Sequence, residues 1–86
     1  MTSEELTQKV ISIISSTQYI PEEQISGDSK FEELDIDSLG ALGIVSEIEN
    51  EFKITIPNDK AFLITNVREL VESLEEFLSA ATTSTL

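Results

Sequence analysis

The sequence predicts an all-α fold, a small four-helix bundle made of three main helices and one short one, with a long first loop. Three observations carry that expectation. Apolar residues recur at three- and four-residue spacing in separate stretches. Two of those stretches open on a capping-box signature. The one segment with strand character, "FKITI", has no clear partner run elsewhere. At 86 residues the chain is one domain, only just large enough to bury a core and too small for a deep internal active site.

Thr2 and Glu5 form the first capping box, and Glu4 adds negative charge where a helix N-terminus favours it. Leu6, Val10, Ile13 and Ile14 then fall on one face, with Gln8, Lys9 and Ser12 opposite, which predicts a helix over about residues 3–16. "STQYIPEEQISGDSKFEELDID" has no sustained period and contains Pro21 and Gly27. It reads as a loop of roughly twenty residues, longer than a compact domain usually tolerates, with Ile20, Ile25, Phe31 and Leu34 as its anchors.

A second helix begins at Asp37 or Ser38, with Asp37 suited to cap it. Leu39, Leu42, Val45, Ile48 and Phe52 make its apolar stripe. Pro57 stops any continuation, and "NDKAFLI" has room for one short helical turn. Asn66 and Glu69 form the second capping box, ahead of Val67, Leu70, Val71, Leu74, Phe77 and Leu78. The small, polar "ATTSTL" reads as a flexible tail, so the folded domain is expected over 1–80 and the tail over 81–86. Each stripe reads as core.

Seventeen acidic residues against five basic ones give a net charge of −12. Phosphate backbones would repel such a chain, so nucleic acid is not an expected partner; proteins with basic patches are. Without cysteine there is no disulfide framework, and no apolar run approaches the ~18 residues of a membrane span. A cytoplasmic monomer is expected, and the starting Met, the immediate first helix and the short tail favour a free-standing chain over a piece of a larger protein. The chain also lacks histidine, so no Ser–His–Asp triad, Cys–His dyad or zinc site of the usual ligands can be assembled. No catalytic residue and no metal site is expected.

"LDIDSLGALG" then needs its own explanation. A calcium loop starting at Asp35 fails, because its fifth position is Leu39 and its twelfth is Ser46 where a bidentate Glu is needed. Ser38 as a plain capping residue is the bland reading. Against it stands the setting: a long loop delivers the hydroxyl to an exposed helix start, whose free N–H groups suit a phosphate ester. Gly40 and Gly43 leave space on that helix for a close approach, each at a cost of ~1 kcal/mol relative to Ala. With no histidine to activate Ser38 in the usual way, a chemical role for it requires another protein to act on it.

"LDIDSLGALGIVSEIENEFKITIP" resembles the heart of the acyl carrier protein family, whose pattern is Leu-Gly-x-Asp-Ser-Leu, an acidic amphipathic helix, Glu-x-x-Phe and an Ile-Pro exit. The matching positions are Leu34, Asp37, Ser38, Leu39, Glu49 to Phe52, and Ile56–Pro57. "ITNVRELVESLEEFL" is similar to the family's last segment, and the likeness covers nearly the whole chain. It implies a 4′-phosphopantetheine arm, taken from coenzyme A by a phosphopantetheinyl transferase and attached to Ser38. Asp37 and Leu39 would flank that site, and the arm's thiol would carry acyl groups as thioesters between a ketosynthase, an acyltransferase and related enzymes with basic docking patches. The handle would be here and the catalysis elsewhere.

The departures shape the finer expectation. Asp35 stands where the family has Gly, and Gly40 and Gly43 stand where carriers of primary fatty acid synthesis are usually acidic. Glu47, Glu49 and Glu51 remain further along, while Phe62 and Leu63 add apolar character near the short helix. Gly40, Gly43, Glu47, Phe62 and Leu63 are therefore expected to form a partner surface, nearer to discrete polyketide carriers than to primary fatty acid ones. Ile44 occupies the place of the tryptophan found in some carriers that accept β-branches, which argues against that role. The alternatives are an aminoacyl or peptidyl carrier, or an acidic helical interaction module.

Overall fold

The computed structural model describes residues 2–84, with side chains through residue 78. Four helices account for its architecture: α1 (Ser3–Gln18), α2 (Ser38–Phe52), α3 (Asn58–Ala61) and α4 (Val67–Ser84). No strand occurs among the described residues, and the tail expected over 81–86 falls where side chains, or at 85–86 the backbone too, lie outside the described residues.

The Thr2 hydroxyl accepts from the Glu5 N–H and the Glu5 carboxylate accepts from the Thr2 N–H, both at 3.1 Å. The capping box is thus complete in both directions. The Thr2 backbone N–H, and after it the Thr2 hydroxyl, hold the Glu5 carboxyl below its ordinary range, because both favour the charged form. α1 ends at Tyr19, whose left-handed backbone (φ 58) turns its N–H back to the Ser15 carbonyl.

The long connection is not featureless. It holds two single 3₁₀ turns, Glu22–Gln24 and Glu32–Leu34. Ile25 and Phe31 are buried as anchors, Ile20 and Leu34 pack half-buried against the core, and Ile36 is a further buried anchor. The segment is also stitched to the entry of α4. Phe31 N–H donates to the Thr65 carbonyl at 2.9 Å and Val67 N–H to the Ser29 carbonyl at 3.0 Å, a single antiparallel bridge at Lys30 and Asn66. Those ties explain how so long a loop is tolerated.

At the start of α4, Glu69 N–H donates to Asn66 Oδ1 at 2.8 Å. The return half of the expected box is altered. The Glu69 carboxylate accepts from the Asn66 side-chain amide and from the Thr65 N–H and hydroxyl, reaching one residue further back. "FKITI" is loop, with Ile56 buried and its N–H donating to Glu49 at 2.7 Å.

α1 packs against both α4 and α2. Val10 and Ile14 of α1, Ile44 and Ile48 of α2, and Leu70 and Leu74 of α4 are fully shielded from solvent, each contributing about 1.5–3 kcal/mol of burial. The apolar stripe of α2 differs from its expected membership. Leu39 is 79% exposed, and Ile44 takes a core place instead. At 3.6 residues per turn, Leu39 lies about opposite Ile48 and shares the outer face with Gly43. The rest of the expected stripe holds: Val45 and Ile48 are buried, Phe52 packs against the core and Leu42 is half-buried, so only its first member lies off the core face.

Candidate functional site

The approach to Ser38 is built from three consecutive backbone choices. Asp35 closes a 3₁₀ turn in the left-handed region (φ 58), where Asp is among the few tolerated side chains. That accounts for a position where the resemblance anticipated Gly. Ile36 then plugs into the core, and Asp37 takes an extended conformation as the cap of α2, its carboxylate accepting from Gly40 N–H at 2.8 Å. Ser38 is the first residue of the helix and is exposed. Among the described residues, neither the Ser38 nor the Leu39 N–H donates to a protein acceptor, so two donors of the helix start stay open.

Ser38 and Asp37 sit on the rim of a groove of about 560 Å³ between α2, α3 and the Lys30–Asn66 bridge. Ile36, Ala41, Leu42, Ala61, Phe62 and Ile64 give it apolar walls. Its volume is in the usual range for sites that hold small molecules. Lys30 is the only cation among the described residues that line it. An exposed hydroxyl, open N–H donors and an adjoining apolar groove form an arrangement that fits a phosphodiester-linked arm. Among the described residues, no basic side chain is hydrogen-bonded to the hydroxyl.

The other expected site residues do not form one patch. Phe62 (65% exposed) lines the Ser38 groove, whereas Leu63 (74% exposed) borders a different depression with Glu69, Glu72 and Glu76. Gly43 and Glu47 follow Leu39 along the outer face of α2, all exposed. Gly43 has nothing within 4 Å of the place a Cβ would take. Gly40 is different: a Cβ there would lie 2.7 Å from Gln18 Oε1 and 3.0 Å from Ile36 Cγ2. Its missing side chain admits Gln18 of α1, and the space on that side of the helix is already filled.

Of the acids on α2, Glu49 accepts from Ile56 N–H and Glu51 pairs with Lys9 at 2.9 Å, while Glu47 has no partner among the described residues. Sequence reasoning missed Ile36 and Gln18. Ile36 could have been found, as the sole apolar residue between Asp35 and Asp37. Nothing in the sequence marks Gln18.

A family model described as a phosphopantetheine attachment site matches residues 8–74. The acyl carrier protein of Cyanidium caldarium is 45% identical over 73 residues, 84% of this chain and 85% of the relative. That of Rickettsia bellii (strain RML369-C) is 40% identical over 75 residues, 86% and 87% of the two chains. That of Chloroherpeton thalassium is 38% identical over 77 residues, 88% and 96%. Together with the helical bundle, these matches establish that the chain belongs to the acyl carrier protein family, carriers of a 4′-phosphopantetheine group rather than catalysts.

Proposed function

We propose that Ser38 is the attachment point of the 4′-phosphopantetheine arm, and that the chain serves enzymes of a specialised, polyketide-type assembly in the cytoplasm as a monomer. The observation that carries the first part is the Ser38 hydroxyl itself, exposed at the first position of α2 beside an apolar groove. When attached, the arm supplies a terminal thiol on which acyl groups travel as thioesters. Asp37 holds the first turn by its bond to Gly40 N–H. The open N–H groups of Ser38 and Leu39 face the place where phosphate charge would lie. Ile36, Leu42 and Phe62 offer an apolar shelter for the cargo.

The second part rests on the outer face of α2. The first turn of α2 carries no acid, Gly43 lies open, and two of the three acids further along already have partners, Glu49 in the Ile56 N–H and Glu51 in Lys9. Leu39 and Phe62 then dominate the surroundings of Ser38, so the partner surface is more apolar and less acidic than a purely charge-driven contact needs. A thioester-transfer assay tests this with one polyketide and one primary fatty acid ketosynthase. Gly43→Glu, whose Cβ would meet nothing within 4 Å, should slow the first enzyme and help the second. Equal service of the fatty acid enzyme by wild type and variant contradicts the specialised reading.

A further inference from the structure

The last turn of α1 reaches the first turn of α2 through one polar side chain. Gln18 Nε2 donates to the Gly40 carbonyl at 3.3 Å and to Thr17 Oγ1 at 3.4 Å. Gln18 Oε1 lies 2.7 Å from the place a Cβ on residue 40 would take. Gly40 N–H is held from the other side by the Asp37 carboxylate at 2.8 Å. Both polar groups of the residue two places after Ser38 are therefore engaged, one by the cap and one by α1.

This span of chain has few other anchors. Ile36 is buried before Ser38 and Ile44 after it, while Asp37, Ser38 and Leu39 are exposed. The start of a helix frays when nothing holds it. The left-handed turn at Tyr19 ends α1 directly after Gln18, which makes Gln18 the last helical residue facing α2.

We propose that Gln18 is a positioning residue for Ser38: its bond to Gly40 clamps the first turn of α2 to α1 and fixes how the hydroxyl is presented to the enzyme that adds the arm. The proposal rests on the reading of Ser38 as the attachment point. It also supplies a second reason for Gly40, since a methyl group there would expel the Gln18 amide.

The test uses the full chain, coenzyme A and a phosphopantetheinyl transferase, with intact mass followed over time and amide hydrogen exchange measured in parallel. Gln18→Met keeps the length of the side chain and removes the donor. It should lower kcat for arm addition by roughly three- to tenfold with KM for the carrier unchanged, because an ångström-scale misplacement of a reacting group is costly. Exchange should quicken in the first turn of α2 and stay unchanged in α4. Gly40→Ala should slow arm addition in the wild type and cost less in Gln18→Ser, where the 2.7 Å contact is gone and only the tight approach to Ile36 Cγ2 at 3.0 Å remains. Wild-type kinetics in Gln18→Met, or exchange that rises uniformly through every helix, overturns the positioning role alone. Arm addition that persists in Ser38→Ala overturns the attachment reading and the positioning role with it.

Discussion

The two glycines of α2 should respond in opposite directions to the same substitution. Gly43→Ala places a methyl group where nothing lies within 4 Å. The helix then gains the difference in propensity, about 0.8–1.0 kcal/mol. For a domain of this size, that is a rise of about 4–8 °C in Tm. Gly40→Ala has the same propensity gain, opposed by contacts of 2.7 Å to Gln18 Oε1 and 3.0 Å to Ile36 Cγ2. Gln18 can swing away, but only by giving up its bond to the Gly40 carbonyl, a loss of about 0.5–1.5 kcal/mol. Ile36 is buried and can yield only by leaving its rotamer, a further ~0.5–1.5 kcal/mol. The net effect at residue 40 is therefore neutral to destabilising by about 2 kcal/mol, setting the two variants about 1–3 kcal/mol apart. Urea unfolding followed by far-UV circular dichroism measures both. Equal stabilisation by the two substitutions would refute the close approach of α1 to Gly40.

Two further outcomes are expected. The Glu5 carboxyl is held below its ordinary range by the capping box, so its stabilising effect is present above the ordinary carboxylate pKa and is lost as pH falls through the lowered value. Glu5→Gln should therefore destabilise the protein near neutral pH and flatten the acid limb of a stability–pH curve; an unchanged limb contradicts the box. The rate at which the carrier meets a basic-patched transferase should fall as salt rises, because a chain of net charge −12 steers such encounters over a screening length of ~8 Å at physiological ionic strength. Stopped-flow rates that stay flat with salt point instead to apolar contact through Leu39 and Phe62.

Features set by short-range chemistry were legible in the sequence. Thr2 and Glu5 cap α1, Asp37 caps α2, and the α4 stripe from Val67 to Leu74 is core, because each depends on residues within two turns of one another. What escaped depends on contacts between distant segments. Leu39 and Ile44 differ in burial according to how α2 is rotated against α1, which spacing alone does not fix. Gly40 reads like Gly43 along the chain and differs only because Gln18, far away in sequence, occupies its side. Phe62 and Leu63 are neighbours in sequence, yet they turn into separate depressions at the end of the short α3. At the site, the place of Ser38 at an exposed helix start was legible, while its groove was not, because Phe31, Ile36, Ala61 and Ile64 meet only after folding.

The account turns on one hydroxyl, and intact mass spectrometry tests it directly. The full chain is incubated with coenzyme A, magnesium and a phosphopantetheinyl transferase, alongside Ser38→Ala. The account predicts a single added phosphopantetheine mass on the wild type, localised by peptide fragmentation to Ser38, and none on Ser38→Ala with its helical circular dichroism intact. An added mass on the alanine variant, or one localised to Ser26 or Ser46, contradicts it.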